Sequence, residues 1–386
     1  MRISVVICAY TMDRWNTLVA AVRSCEEQTL KPSEIIVVID YNEELRVRAT
    51  QEFTSVYVVA NESTKGVSGA RNTGVAASSG DIVAFLDDDA YADSDWLEQL
   101  TLPMTNPDVA GVGGWILPHW PASPPAWFPE TFLWILGCSY AGLPETNFPI
   151  RNPIGASMAI HRRVFATVGG FTEGIGRIGV TPLGCEETEL CIRYTAAFPG
   201  QQFVMARDAV VHQWVPVSRL TWHYFWTRCW AEGLSKAAVS FLVGSDYGLA
   251  AERQHLVRSL PREFASSLRS LFVHPKSAAS RLVLIVIGTT CAAAGLVWGR
   301  VAVRLTPIAF SSSELARLTN ALRAKGGPLP ADLNESATSA NLIERNVNTS
   351  DIEDDVAKAT KDSKPEVLVD THGTFTRKEV SLDGDN

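Results

Sequence analysis

Four short runs of branched apolar residues, "ISVVICAY", "EIIVVID", "VYVVAN" and "DIVAFLDDD", fall within the first ninety residues, and helical patterns such as "WNTLVAAVRSCEEQ" and "SGARNTGVAASS" lie between them. A strand that is apolar at successive positions, rather than at alternate ones, must be covered on both faces. A parallel sheet wrapped by its own crossover helices meets that demand. The predicted fold is therefore α/β, a mostly parallel open sheet with helices on both faces. Sheets of this kind bind ligands beyond the carboxyl ends of their strands. The first, second and fourth runs end there at Ala9-Tyr10, at Asp40, and at Asp87-Asp88-Asp89.

Three consecutive carboxylates at one strand end repel one another unless a cation neutralises them. One aspartate could cap the helix suggested by "ADSDWLEQL", but a cap needs a single residue, and Asp93 or Asp95 can supply it. Hard divalent ions such as Mg²⁺ and Mn²⁺ bind through one or two carboxylates completed by substrate phosphates, so a metal–diphosphate site accounts for the cluster. Lys65-Gly66 and "SGARNTG" precede the fourth run, and Arg71 within it can reach a base or a phosphate. No GxGxxG follows any of the four runs and no GxxxxGK[ST] occurs, which removes the dinucleotide and P-loop readings.

Net charge of −8 over 386 residues argues against a nucleic-acid partner. The seven cysteines are scattered with no CxxC, a pattern of free thiols in a reducing compartment. The N-terminus enters a strand pattern with no secretory signal before it. Residues 115–150 are rich in Trp, Pro and Phe and read as an ordered surface segment crossing the sheet edge. "CEETELCIRYTAAFPG" reads as a helix with its acidic end first, and "QFVMARDAVVHQW" as a strand. Residues 241–281 carry an amphipathic basic pattern, with Leu256, Leu260, Phe264, Leu268 and Leu271 at helical spacing, suited to a membrane surface. Within 282–303, the uncharged stretch Leu282 to Gly299 would span about 27 Å as a helix, at the short end for a transmembrane segment; a re-entrant or buried helix is the alternative. Residues 304–386 are polar and acidic and read as largely disordered.

The ordered set "VVICAY", "VVID", "KGVSGARNTG", "DIVAFLDDD", "GGF" and "CEETELCIR" resembles family 2 glycosyltransferases, inverting enzymes with the nucleotide-sugar-binding GT-A fold, over roughly residues 1–240. The resemblance implies a UDP-sugar or other nucleotide-sugar donor and Mn²⁺ or Mg²⁺ as cofactor. It places Ala9, Tyr10, Asp40, Lys65 and Arg71 at the nucleotide. Asp87 and Asp89 stand at the ends of a DxD motif, with Asp89 the direct metal ligand and Asp87 or Asp88 at the ribose. His212 is a further candidate for the metal or diphosphate. The family's catalytic base is an Asp after Glu; here the pair is Glu186-Glu187, so Glu187 takes that place with Glu186 as fallback. Glu186, Glu187 and Glu189 also suit an acidic first helical turn.

Arg228 and Trp230 stand near the Gln-x-x-Arg-Trp position of processive synthases. Phe225 replaces the Gln and Cys229 separates Arg from Trp, so single sugar addition is expected. The aromatic block together with "RNPIGASMAIHRRVF" resembles more narrowly the glucosyl-dolichyl-phosphate glucuronosyltransferases. That resemblance implies a polyprenyl-phosphate-linked acceptor and a UDP-glucuronate donor, and an activated sugar nucleotide in turn places the catalytic part on the cytoplasmic face of the membrane, single-pass or monotopic. Arg151, Arg162, Arg163 and Arg177 are candidates for a uronate carboxylate or lipid phosphate. Two alternatives stay open: a catalytically silent, membrane-tethered binding protein, and a transferase for a non-lipid glycan acceptor.

Overall fold

The computed structural model describes residues 1–121, 125–177, 183–244, 259–272 and 274–305. The acidic tail beyond 305, and Leu256 of the amphipathic pattern, lie outside the described residues. The chain begins with β1 (Ile3–Ala9), α1 (Trp15–Glu26), β2 (Glu34–Ile39), α2 (Glu43–Glu52), β3 (Tyr57–Ala60), α3 (Val67–Ala77) and β4 (Ile82–Asp87). These four strands pair in parallel in the order β3-β2-β1-β4. Beyond β4 come β5 (Ala90–Ala92), α4 (Trp96–Thr101), β6 (Val109–His119), β7 (Pro149–Ile150), β8 (Ser157–His161), α5 (Arg162–Val168), α6 (Glu186–Ala197) and β9 (Gln202–Trp214). There the sheet is mixed: β8 is antiparallel to both β4 and β6, β6 and β9 are parallel, and β5 and β7 pair with β9 in antiparallel fashion.

The unbroken apolar runs are explained by two cores. Val5 and Ile7 of β1 face one way, onto Leu18, Val22 and Cys25 of α1 and Leu45 of α2. Val6, with Ile36 and Val38 of β2, faces the other way, onto Ala70 of α3 and Leu190 of α6. Each fully buried Val, Leu or Ile contributes about 1.5–3 kcal/mol relative to exposure, so both faces of these strands are committed. That leaves only the strand ends for function. At that edge Gly66 takes a φ of 123° to turn the chain into α3, a conformation open to glycine and costly for other residues.

Three helices complete the described chain: α7 (Trp222–Val243), α8 (Leu260–Ser270) and α9 (Pro275–Leu305). Thr221 caps α7, its side chain accepting from the Tyr224 N–H at 3.1 Å. The aromatic segment is less superficial than its composition suggests. Phe128, Phe132, Ile135 and Leu136 are buried, because Phe225 of α7 and Leu284 of α9 extend the first core over them. A 3-10 turn, Glu130–Leu136, replaces a full helix there. Its first two N–H groups, on Glu130 and Thr131, donate to the Glu263 carboxylate at 3.0 and 2.9 Å, which fixes α8 to the aromatic segment.

Helices α7 and α9 approach closely through glycines. A Cβ added to Gly233 would lie 2.2 Å from the Ala292 carbonyl oxygen, and one on Gly295 would lie 2.4 Å from that of Trp230. Small residues that let two backbones meet are a common device in membrane helix pairs. The Pro275–Val301 stretch of α9 is long and apolar enough to cross a membrane, and 28% of its apolar window is buried, less than a core helix of a soluble protein would show. Gly233→Leu is expected to force α7 from α9 and destabilise the fold by about 1–3 kcal/mol. Thermal unfolding of the full chain in detergent measures this, and Ala294→Leu on the exposed side of α9 serves as the unaffected comparison.

Candidate active site

The strand ends, the N-terminus of α6 and the inner faces of α7 and α9 enclose a cavity of about 790 Å³. Ala9, Tyr10, Asp40, Arg71, Asp87, Asp88, Asp89, Glu186, Glu187 and Arg228 all line it. The structure thus brings together residues that lie up to 219 positions apart in sequence, because each sits at a strand end or on a helix facing that edge.

Arg71 is the hub. It is 4% exposed on α3. Its Nη1 donates to Glu186 Oε1 at 2.6 Å, and Nη2 is 3.5 Å from Asp87 Oδ1. One guanidinium therefore holds the end of β4 against the first turn of α6. Burial alone would lower the Arg71 pKa; the attraction of Glu186 and then Asp87 outweighs it and holds the group firmly charged.

The other aspartates are also answered by arginines. Arg14, on the 3-10 turn Met12–Arg14 after β1, places Nη1 2.6 Å from Asp88 Oδ1 and Nη2 3.0 Å from Asp89 Oδ2. Arg219 Nη2 stands 3.3 Å from Asp89 Oδ2, and Gln213 Nε2 donates to Asp89 Oδ1 at 2.5 Å. Asp87 is the most open of the three, its side chain 39% exposed. Burial pushes the Asp88 carboxyl up to about 7 despite Arg14. Asp40 serves the loop before α3: Oδ1 accepts from Asn61 Nδ2 at 2.7 Å and Oδ2 from the Gly66 N–H at 3.0 Å.

The three glutamates of α6 divide their roles. Glu186 pairs with Arg71. Glu189 is fully buried and pairs with Arg193, Nε to Oε1 at 2.7 Å, while Thr172 also donates to it. Glu187 faces the cavity, and its buried Oε2 has no hydrogen-bond partner among the described residues. Burial first, and the neighbouring Glu186 second, push its carboxyl up to about 8. A carboxyl poised near neutrality beside a cluster of acids and cations is the electrostatic profile of a proton acceptor.

Three expected residues lie elsewhere. Lys65 is exposed and does not line the cavity. Trp230 is 38% exposed, because two residues along a helix from Arg228 is about 200° around it. His212 neighbours Gln213 on β9, so the strand's alternation turns it away from Asp89. Its Nε2 is 3.0 Å from Asp93 Oδ1 and its ring stacks on Tyr91 at 4.8 Å. Of the four candidate arginines, Arg151 and Arg177 line the cavity. Arg162 donates to Ser78, and Arg163 to the Pro107 carbonyl at 2.9 Å.

Arg14, Arg219 and Gln213 escaped the sequence reading. Arg14 had a signal, since it follows β1 by five residues and so starts from the edge where the aspartates end. Arg219 and Gln213 depend on where β9 enters the sheet. Arg14→Ala is expected to destabilise the protein by about 1–3 kcal/mol at pH 8, because it strips a partly buried partner from two carboxylates. The Asp88 share of that loss shrinks as pH falls through about 7 and the carboxyl protonates. Urea unfolding of wild type and variant at pH 6 and pH 8 measures it.

Residues 4–169 match the family model described as Glycosyl transferase family 2. A relative from Haloferax volcanii, glucosyl-dolichyl phosphate glucuronosyltransferase, is 32% identical over 307 residues, 78% of this chain and 96% of its own length. The uncharacterized glycosyltransferase YwdF of Bacillus subtilis is 34% identical over 109 residues, 28% of this chain and 40% of its own. Among solved structures, a mannosyltransferase from Pyrobaculum calidifontis, in complex with GDP-Man and Mn²⁺, superposes with a TM-score of 0.50 at 16% identity, covering 77% of this chain and 87% of that one. The sheet with its strand-end cavity is a GT-A fold, and the chain belongs to glycosyl transferase family 2 as a glycosyltransferase.

Proposed function

We propose that the protein moves one sugar from a nucleotide sugar, UDP-glucuronate being the donor of first choice, to a hydroxyl of a polyprenyl-phosphate-linked sugar, inverting the anomeric carbon. The observation that carries this is Glu187: a buried carboxylate oxygen, without a described hydrogen-bond partner, in the same cavity as Asp40 and the three aspartates. The relative from Haloferax volcanii, matched over nearly its whole length, supports the donor and the acceptor class.

In this reading Ala9, Tyr10, Asp40 and Arg71 receive the nucleoside, and Arg177 and Arg219 stand beside the diphosphate or the sugar. Glu187 Oε2 takes the proton of the acceptor hydroxyl. The hydroxyl oxygen bonds to the anomeric carbon as the bond from that carbon to the diphosphate oxygen breaks, and the electron pair leaves with the nucleoside diphosphate. Arg71 holds the Glu186 carboxylate in place beside Glu187. Glu186 is the fallback base: its Oε1 is committed to Arg71, while its Oε2, like that of Glu187, is buried without a hydrogen-bond partner among the described residues.

A divalent cation, Mn²⁺ or Mg²⁺, fits the residues present. Among the described residues Arg14, Arg71 and Arg219 are already paired with carboxylates of the site, so a diphosphate entering beside the three aspartates brings negative charge that a cation would offset. The buried Asp88 Oδ2 has no hydrogen-bond partner among the described residues, and Asp87 is open. No group of three His, Cys, Asp or Glu ligands occurs among the described residues, so substrate oxygens and water would complete the shell. Asp87 and Asp89 would hold the ion, with Asp88 beside them and His212 turned away toward Asp93. When bound, it would offset the charge of the leaving diphosphate.

Residues 1–240 would carry catalysis, with α8 and α9 attaching the chain to the cytoplasmic face of a membrane. Phe264, Leu268 and Phe272 stand exposed on and just after α8, as a lipid-facing surface would require.

The test is release of nucleoside diphosphate by the full chain in membranes, from a panel of UDP- and GDP-sugars, with Mn²⁺ or Mg²⁺ and polyprenyl-phosphate glucose. Acceptor- and metal-dependent release from one donor is expected, with a loss of at least about 10²-fold in Glu187→Gln. Retention of full activity in Glu187→Gln would remove it as the base. Because a base must be ionised and the Glu187 pKa is raised, kcat/KM for the acceptor should climb with pH through about 8. The same shift means that folding stability falls between about 4.5 and 8, since the folded state there binds the extra proton.

A further inference from the structure

The cavity has two chemistries. One side is the charged strand edge. The other is walled by α7 and α9, where Arg228, Glu232 and Lys236 form an i, i+4, i+8 stripe on α7. Arg228 and Lys236 are 9% and 8% exposed, and Lys236 Nζ is 3.0 Å from Glu232 Oε1. Two buried cations thus face the cavity, with Arg151 also lining it. Alongside them α9 presents Gly288, Thr289, Ala292, Ala293 and Leu296, short and apolar apart from one hydroxyl. Thr289 satisfies that hydroxyl internally by donating to the Ile285 carbonyl at 2.7 Å, so this wall makes no polar demand on a ligand. Ala293 both lines the cavity and is exposed, which puts an opening of the cavity along α9. The outer side of α9 exposes Val283, Val286, Val297 and Trp298, the surface of a helix suited to lipid.

We propose that this side of the cavity binds the lipid part of the acceptor: Arg228 and Lys236 take its phosphate, and the Thr289–Ala293–Leu296 face of α9 takes the first isoprenoid units. The inference rests on the polyprenyl-phosphate acceptor proposed above. It makes α9 a wall of the acceptor site as well as a membrane attachment. A lipid phosphate is a small dense anion on an apolar chain, and a buried pair of cations beside a smooth apolar helix matches both halves. A soluble glycan acceptor would want polar groups along that wall, and α9 supplies none beyond Thr289. Placed there, the phosphate and chain leave the sugar directed toward the part of the cavity that holds Glu187.

The experiment uses the full chain in lipid nanodiscs and two acceptors with the same headgroup, polyprenyl-phosphate glucose and the phenyl ester of glucose 1-phosphate. KM is measured for each in wild type, Ala293→Phe, Lys236→Met and Val286→Phe. Ala293→Phe should raise the ratio of polyprenyl to phenyl KM by about tenfold or more, since it fills the hydrocarbon wall. Lys236→Met should raise both KM values and leave the ratio unchanged. Val286→Phe, on the outer side of α9, should leave the ratio at the wild-type value. Thermal melts establish that the variants fold; Ala293 is exposed, so the added ring needs no room in the core. A ratio unaffected by Ala293→Phe, in a wild type that uses the polyprenyl acceptor, overturns this inference and leaves the proposed function standing. A wild type that transfers only to a glycan lacking phosphate overturns both.

Discussion

One buried guanidinium holds this site together. Arg71 spans from Glu186 at 2.6 Å to Asp87 at 3.5 Å, and so joins a strand end to a helix start that are ninety-nine positions apart in sequence. Its side chain is backed by the rings of Phe85 and Phe171, with centroids 5.9 and 5.6 Å away, and by Gly155, where a Cβ would lie 2.3 Å from Nη2. A cation buried this deeply is tolerable only while its carboxylates remain in place. Those carboxylates are in turn tolerable only while the cation does. The constraint fixes how far the aspartates stand from the glutamates, and hence where a donor and an acceptor could meet.

The acidic cluster at the end of β4 poses an electrostatic problem, and the fold meets much of it internally. Arg14 and Arg219 reach Asp88 and Asp89 from two other segments, and Gln213 adds a neutral donor. The result is a charge-balanced cavity in which the carboxyls of Asp88 and Glu187 are pushed toward neutrality by burial.

Much of this was legible in the sequence, for a physical reason. Apolar runs without alternation demand a two-sided sheet, and such a sheet exposes its strand ends, so Asp40, Asp87, Asp88 and Asp89 had to share one edge. Glu186 and Glu187 were legible as an acidic first turn, but only the structure separates Glu187, open to the cavity, from Glu189, locked to Arg193. The rest was hidden because it turns on parity and on long-range placement. His212 and Gln213 differ by one residue along β9, and that one step decides which of them meets Asp89. The parallel half of the sheet followed from composition, whereas the antiparallel entry of β8 left no local trace. The aromatic segment reads as surface until α7 and α9 close over it.

The central claim is that Arg71 makes the donor side and the proton-accepting side one unit. A double-mutant cycle on kcat/KM, with Arg71→Lys, Glu186→Gln and the pair, tests it most directly. Lysine retains the charge but cannot span two carboxylates as the planar fork does. If the claim holds, each single variant loses most of the activity and the pair loses little more, a strongly non-additive cycle. If the two losses simply multiply, Arg71 and Glu186 act independently and the bridge is not what organises the site.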